Sequence, residues 1–461
     1  MNVDLVVIGS GPAGQKGAIQ AAKSGLKVVV VDKHKPCGGA CLHHGTIPSK
    51  TFREAIVDLS GFLERSYYGK EINTCTDISI DDLTYRLDKV IADQEALLQK
   101  QFSRNKIELV HGTAQFKTTR FIEVRDNDGN IIAFINTRRT LIATGSRPRR
   151  PENVPFDSDT ILESDSLLKI KGLPKTMMVL GGGVIGAEYA TMFAALGTKV
   201  ILIDKAPRPL MLLDKGIGEH FVKYITEMGV QIEMNKTIID IRKSPEGQAQ
   251  VEIEGGEVLE AECLFYALGR VSNVEGLNLS DVGVQITDRG KIAVNGLFQT
   301  HARRIYAAGD VIGDPALAST SMEQGRLAIR NAFSLKSKQF PEFVPYGIYT
   351  IPEISSFGPT EQQLTEKGIK YEVGRAYYYE IGRGPIAGDT TGMIKLIFHV
   401  DTLEMLAVHI IGSGATELVH IGQLAIDFHA RIDYFVDQIF NYPTFAEGYR
   451  IAALNGLNKL S

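Results

Sequence analysis

The sequence predicts an α/β protein carrying two Rossmann-like dinucleotide-binding units. Three observations point there: strand-like apolar runs alternate with helical stretches, a glycine-rich turn separates strand from helix twice, and an acid closes the following strand both times. In the first copy the pattern gives a strand over residues 4–8, the turn Gly9-Ser10-Gly11-Pro12-Ala13-Gly14, a helix over 15–24, and a strand over 27–31 that ends on Asp32. The second copy gives a strand over 177–180, the turn Gly181-Gly182-Gly183-Val184-Ile185-Gly186, a helix over 187–196, and a strand over 199–203 that ends on Asp204. Gly9 and Gly181, Gly11 and Gly183, Gly14 and Gly186, and Asp32 and Asp204 all stand 172 positions apart.

Each of these residues has a mechanical reason to be there. The first glycine permits the tight turn, the second lets backbone approach a pyrophosphate, and the third lets helix and strand lie close together. The pyrophosphate then rests on the helix N-terminus, where free N–H groups and the helix dipole favour an anion. The acid, 18 residues beyond the third glycine in both copies, suits the ribose hydroxyls. One such turn is common in α/β proteins whatever they bind, but two in full strand-turn-helix-strand-acid context point to two bound dinucleotides. Gly25 and Gly197 read as caps just past each helix. Two dinucleotides in one chain suggest a held flavin and an exchanging nicotinamide, and hence hydride transfer.

Composition narrows the class further. At roughly 150 residues per domain, 461 residues suggest about three domains. A formal net charge of −4, with 44% hydrophobic and 23% charged residues, excludes a basic nucleic-acid surface and gross disorder. No apolar run approaches a membrane span, and the start Leu5-Val6-Val7-Ile8 is too short for a signal peptide, so a cytoplasmic chain without membrane or nucleic-acid partners is expected. Four cysteines, Cys37, Cys41, Cys75 and Cys263, are too few for a secreted disulfide framework. Cys37 and Cys41 with His34, His43 and His44 nearby raise the question of zinc, but two thiols alone do not make a site and no metal is expected. Cys75 and Cys263 read as inert, and His420 and His429 as packing or surface residues on C-terminal helices.

Between the two units lies Cys37-Gly38-Gly39-Ala40-Cys41-Leu42-His43-His44-Gly45-Thr46-Ile47-Pro48-Ser49-Lys50. This stretch resembles the flavoprotein disulfide reductase family. Further matches follow in family order: Ala143-Thr144-Gly145-Ser146-Arg147-Pro148, Ala267-Leu268-Gly269-Arg270, Tyr306-Ala307-Ala308-Gly309-Asp310 and Tyr349-Thr350-Ile351-Pro352-Glu353-Ile354. The resemblance implies FAD on the first unit, NAD or NADP on the second, and a C-terminal α+β dimerisation domain that builds a homodimer or larger homo-oligomer. It implies an FAD domain over 1–149, a nicotinamide domain over 150–269, a return to the flavin over 270–340 and an interface domain over 341–461. The stretch 146–151 reads as a proline-rich crossing, 81–106 as a solvated helix pair, and 322–333 as a helix facing the flavin pyrimidine.

Two departures from the family pattern carry more information than the matches. Disulfide reduction needs one thiol to take electrons from the flavin and another to exchange with substrate. Cys41 matches the exchange thiol, but the flavin-side position is Thr46, whose hydroxyl cannot form a disulfide. Near the C-terminus the family's His-Pro-Thr-x-x-Glu becomes Tyr442-Pro443-Thr444-Phe445-Ala446-Glu447, so the acid/base imidazole is a phenol. Direct hydride transfer needs neither group, only stacking and alignment. His-x-Gly-Thr-Ile-Pro-Ser-Lys, the run from Gly347 to Ser356, and the stretch Asn441 to Asn458 most resemble the branch that passes hydride between two nicotinamides. The expected reaction is ping-pong: NADPH reduces the flavin, NADP⁺ leaves, and NAD⁺ takes the hydride, or the reverse. The alternatives are a disulfide reductase or diaphorase that uses Cys37 as its second thiol, and a catalytically idle FAD-binding protein.

The resemblance implies that Lys50 and Glu188 pair beside flavin N5, where a cation stabilises negative charge; the plain alternative is two surface residues at helix starts. It implies flavin contacts at Asp32, Lys33, Cys41, Thr46, Ala114, Thr144, Gly145, Asp310 and Ala318, and a contact to the second nucleotide at Gly269. Asp310 could equally be an N-cap, and Ala114 an ordinary strand residue. Asp204 suits the free ribose of NAD, while Lys205 and Arg208 could take the 2′-phosphate of NADP. Tyr442 could shape a pocket, and Glu447 could support a helix.

Overall fold

A computed structural model of the chain describes residues 1–60, 78–157 and 159–460. Cys75 lies outside the described residues. The chain forms two compact units: Met1–Phe52, Thr84–Arg149 and Gly269–Pro341 make the first, and Arg53–Leu83, Arg150–Leu268 and Glu342–Ser461 the second.

The first unit is built on a seven-stranded sheet. Strands Glu108–His111, Val28–Asp32, Asn2–Ile8, Ile131–Ile142 and Ile305–Ala307 run parallel, and Phe121–Arg125 and Thr113–Phe116 extend the sheet as an antiparallel meander. Leu5, Val6, Val7 and Val28 to Val31 are all buried, as parallel strands covered on both faces require. Helices Pro12–Lys23 and Ala318–Ala332 cross on one face with small residues at the crossing; a Cβ at Gly325 would strike the carbonyl of Ala13. The stretch 146–151 is not only a crossing, because Ser146–Pro148 pairs as a strand with Arg270–Ser272.

The second unit holds a five-stranded parallel sheet in the order Gln231–Met234, Lys199–Asp204, Thr176–Leu180, Cys263–Tyr266, Ile161–Leu162. A three-stranded antiparallel sheet over Ile238–Lys243, Ala249–Ile253 and Val258–Ala261 accompanies it. The same unit contains a five-stranded antiparallel sheet, Tyr346–Ile348, Ile354–Phe357, Met405–Ile411, Met393–His399, Tyr371–Tyr377, covered by helices Ala415–Asp427 and Gly448–Leu457.

Several element boundaries differ from the expectation. Both glycine-turn helices begin within the motif, at Pro12–Lys23 and Val184–Ala195, so the third glycine lies in the first helical turn. Proline at the first helical position, with its fixed φ and no N–H to leave unpaired, explains the early start of the first. The helix expected over 322–333 is Ala318–Ala332 and has Ala318 as its first residue. The solvated pair is Ile80–Thr84 and Leu87–Arg104, ending short of Lys106, which has φ +55°. His420 is exposed on its helix, whereas His429 follows that helix at φ +54°. Gly25 and Gly197 fall one residue past the helix caps Ser24 and Leu196 with φ of +80° and +90°, as left-handed caps do. No helix among the described residues is long and apolar enough to cross a membrane.

Candidate active site

The two glycine turns have the same construction. Gly9 N donates to Val31 O at 2.8 Å, and Gly181 N donates to Ile203 O at 2.8 Å. Both first glycines have φ near +105°, where only glycine is at ease. Each first glycine also lies against a wall supplied by a distant part of the chain: a Cβ on Gly9 would strike Ala143 O, and one on Gly181 would come within 2.8 Å of Ala267 O. These walls are the Ala143-Thr144-Gly145 and Ala267-Leu268-Gly269 motifs, so two stretches that looked like independent signatures are the same part used twice. The third glycines, Gly14 and Gly186, lie so tightly on the carbonyls of Gly9 and Gly181 that a Cβ would collide.

The second glycines behave differently. A Cβ on Gly183 would meet nothing within 4 Å, and one on Gly11 only Gly39 Cα at 4.0 Å. Both have φ near −70°, which any residue can adopt, so neither conformation nor packing within the protein demands glycine here. Both cap helices of twelve residues, and neither cap is closed by a side-chain hydrogen bond. An uncapped helix start facing a space that a Cβ would fill is a cradle for an anion carried on a close-lying ligand, and two dinucleotide pyrophosphates fit it.

The acids that follow are held by the turns they serve. Asp32 Oδ2 accepts from Ser10 N at 2.7 Å and Ser10 Oγ at 2.5 Å, and Oδ1 accepts from His34 N at 2.9 Å. Ser10 Oγ also accepts from Gly38 N at 2.8 Å, which ties the cysteine segment to the first turn. Gly39, at φ +69°, lies against Gly11, where a Cβ would come within 2.8 Å of Gly11 Cα, so this position needs glycine for close backbone approach. Asp204 Oδ2 accepts from Gly182 N at 2.5 Å and Oδ1 from Ala206 N at 2.8 Å. A carboxylate has about four lone-pair sites, so these bonds orient each acid and leave acceptor capacity for a ribose.

Lys33 and Lys205 are exposed at the strand ends. Arg208 is differently disposed: its guanidinium donates to the carbonyls of Pro209, Leu210 and Leu213 at 3.3, 2.9 and 2.7 Å, folding the loop after Asp204 onto itself. Asp310, on a 3₁₀ turn after Gly309, accepts from Ser146 Oγ at 2.8 Å; Arg270 Nε donates to the same Ser146 Oγ at 2.8 Å. Gly309 N donates to Gln324 Oε1 at 2.8 Å, locking that turn to the helix that begins at Ala318. Thr144 Oγ1 donates to Asn273 O at 2.6 Å, and Asn273 Nδ2 returns a bond to Thr144 O. Gly145 and Gly269 have φ of +65° and +100°. Ala114 is a buried strand residue paired with Val124.

Lys50 lies on helix Thr46–Ser60, with Nζ 3.3 Å from Ser49 Oγ. Glu188, only 3% exposed on helix Val184–Ala195, accepts from Tyr349 N at 2.8 Å through Oε1. The thiols among the described residues are not activated. Cys37, Cys41 and Cys263 are free. Burial pushes Cys37 up to about 11, helped by the charges of Glu95 and Asp32, and pushes Cys263 up to about 12. Burial also raises Cys41, against the opposing pull of a hydrogen bond from the Thr46 side chain. Reactive cysteines have depressed values. Tyr442 is 73% exposed, while Glu447 Oε2 is buried without a hydrogen-bond partner among the described residues.

Two nucleotide cradles on parallel sheets, with a cysteine-bearing segment bonded to the first, define a pyridine-nucleotide oxidoreductase. Residues 3–325 match the pyridine nucleotide-disulphide oxidoreductase model and residues 344–453 its dimerisation domain, and the chain belongs to this family. It is 43% identical over 457 residues to the soluble pyridine nucleotide transhydrogenase of Mycobacterium tuberculosis, covering 99% of this chain and 97% of the relative. It is 41% identical over 461 residues to that of Vibrio vulnificus, covering 99% and 98%. Among solved structures it is similar to LpdA from Mycobacterium tuberculosis, with a TM-score of 0.90 and 25% identity over 98% of this chain and 99% of that one. It is also similar to the HOCl-induced flavoprotein disulfide reductase RclA from Escherichia coli, with a TM-score of 0.87 and 26% identity over the same shares.

Proposed function

We propose that this protein is an FAD-dependent transhydrogenase that exchanges hydride between NADPH and NAD⁺, in either direction, by a ping-pong sequence at one site. The observation that carries this reading is that a hydroxyl, Thr46, stands at the position where a disulfide reductase needs its flavin-side sulfur, while Cys41 is free and burial raises its thiol. A disulfide reductase needs a second sulfur there, and Cys37, buried and pushed up to about 11, is a poor substitute. The full-length similarity to soluble pyridine nucleotide transhydrogenases supports the same conclusion.

A bound FAD supplies the hydride acceptor and donor. In this reading Gly9, Gly11, Gly14, Asp32, Lys33, Cys41, Thr46, Ala114, Thr144, Gly145, Asp310 and Ala318 hold that cofactor. Gly181, Gly183, Gly186, Asp204, Lys205 and Gly269 hold the exchanging nucleotide, and Arg208 shapes the loop beside it. Lys50 offsets negative charge during transfer, and Glu188 supplies the opposing carboxylate. The residues from about 341 onward form the interface of a homodimer or larger homo-oligomer. The family's dimerisation domain supports this, as do the exposed apolar side chains Phe428, Ile439 and Tyr442. The free cysteines suit a reducing cytoplasm.

The deciding assay measures NADPH-dependent reduction of thio-NAD⁺, run beside lipoamide and oxidised glutathione. Turnover with thio-NAD⁺ and none with the disulfides is the expected result. Disulfide turnover, or a long-wavelength thiolate-to-flavin band on titration with NADH, would overturn it in favour of a reductase; inertness to all would leave an idle flavin-binding protein.

A further inference from the structure

Two amides of the strap Tyr349-Thr350-Ile351, which follows strand Tyr346–Ile348, meet two side chains three residues apart on helix Val184–Ala195. Tyr349 N donates to Glu188 Oε1 at 2.8 Å, and Ile351 N donates to Thr191 Oγ1 at 3.1 Å. The Thr191 hydroxyl is aimed by its own donation to the carbonyls of Ala187 and Glu188, at 3.1 and 2.9 Å. Thr191 and Ile351 are fully buried, so water does not replace the bond between them. The residue between the two rungs is held from the other side: Arg53, 4% exposed, donates through Nε to Thr350 O at 3.1 Å and lies 3.4 Å from Glu353 Oε1.

We propose that Thr191 is a positioning residue for the Glu188 carboxylate: by fixing Ile351 N it sets where Tyr349 N–H stands, and so which way the carboxylate faces. The inference rests on the proposed hydride-transfer reaction, in which Glu188 takes part. Without the hydroxyl the Ile351 amide must seek another acceptor in a buried setting, and the strap shifts against the helix. A buried carboxylate that follows such a shift loses alignment, which is costly to rate even when the displacement is small.

The test is anaerobic stopped-flow reduction of the bound FAD by NADPH, in T191V, T191S and E188Q and in the T191V/E188Q double variant. T191V, isosteric but without the hydroxyl, is expected to slow flavin bleaching by roughly tenfold at saturating NADPH with KM little changed, because the cradle at Gly181 to Gly186 is untouched. T191S is expected to restore the rate to within about twofold, and T191V to add less than about twofold in the E188Q background. Wild-type bleaching rates in T191V would overturn the inference, as would an equal loss with and without Glu188, which marks a merely structural role. Should T191V not retain FAD, T191A frees the same amide without a second methyl and is read the same way. Failure of wild-type flavin to bleach with NADPH would instead sink the proposed function.

Discussion

Lys395 is the sharpest place to test how the second unit is held together. It stands in the strand Met393–His399, apolar but for Lys395 itself and the terminal His399, with no exposed surface, its Nζ 2.5 Å from Asp214 Oδ1 and paired also with Glu361. Asp214 is fully buried and caps helix Lys215–Glu227 through Gly216 N, while its Oδ2 accepts from Glu361 N at 3.1 Å. Burial pushes the Asp214 carboxyl up, but the charges of His409 and Lys395 and its hydrogen bonds outweigh this and hold it below the ordinary value. Lys395→Met keeps the volume and removes the charge, stranding a buried carboxylate. Breaking a buried pair in this way costs about 3–5 kcal/mol. Urea unfolding of the FAD-loaded protein, followed by far-UV circular dichroism and flavin fluorescence, reads the loss without tryptophan background, because the chain has none. A group with a depressed folded pKa stabilises above its unfolded value near 3.9 and loses that contribution as pH falls through the lower folded value. The gap between wild type and variant therefore closes below about pH 4, and Asp214→Asn in the Lys395→Met background recovers part of the loss. A variant within about 1 kcal/mol of wild type at pH 7 would refute the reasoning, since it would mean that the cluster is solvated.

Three further outcomes follow from the geometry. Gly183→Ala should leave thermal stability unchanged but, on the proposed function, raise the KM for both nicotinamides by roughly tenfold or more, because its Cβ enters open space where the proposed pyrophosphate would lie, whereas Gly186→Ala, whose Cβ collides with Gly181 O, should cost about 3 kcal/mol in unfolding. Burial, opposed by the charge of Asp214 and assisted by that of Lys395, lowers His409 to about 4; unfolding then takes up a proton between pH 6.5 and 4, so wild type should lose about 3 kcal/mol over that window on acidification while His409→Gln does not. Tyr189 is buried edge-on to Phe265 with a hydroxyl that has no hydrogen-bond partner among the described residues, so Tyr189→Phe should be neutral or stabilising by up to about 1 kcal/mol, read as a higher melting temperature.

What the sequence made legible is what backbone geometry forces. The first and third glycines of both turns and the caps at Gly25 and Gly197 could be read because a left-handed φ or a contact too close for a Cβ requires glycine there, whereas the missing sulfur at Thr46 was legible only against the family pattern. The walls at Ala143 and Ala267 could not be placed that way. They reach their glycines across 134 and 86 residues, and a tertiary contact leaves no fixed spacing. Pro12 was an available signal for the earlier helix start, since proline favours the first helical position. Arg208 shows a different limit: its place beside Asp204 suits a phosphate, but side-chain direction is set by the carbonyls around it. Lys395, alone in an apolar strand, could have been flagged as a buried charge, but its partners Asp214 and Glu361 lie in distant segments.

The borrowed walls also impose an order of assembly on a chain that leaves the ribosome from its N-terminus. The first glycine turn is synthesised almost at once, yet its wall arrives only with Ala143, its last parallel strand with Ile305–Ala307, and the turn bearing Asp310 later still. The second turn and its whole parallel sheet are contained within residues 161–266 and its wall at Ala267 follows directly, although the strap that bonds Glu188 and Thr191 on its helix arrives only with Tyr349 and Ile351. The turn begun first is therefore the last to have its parallel sheet completed, and the second sheet can form while the first still lacks Ile305–Ala307 and the turn bearing Asp310.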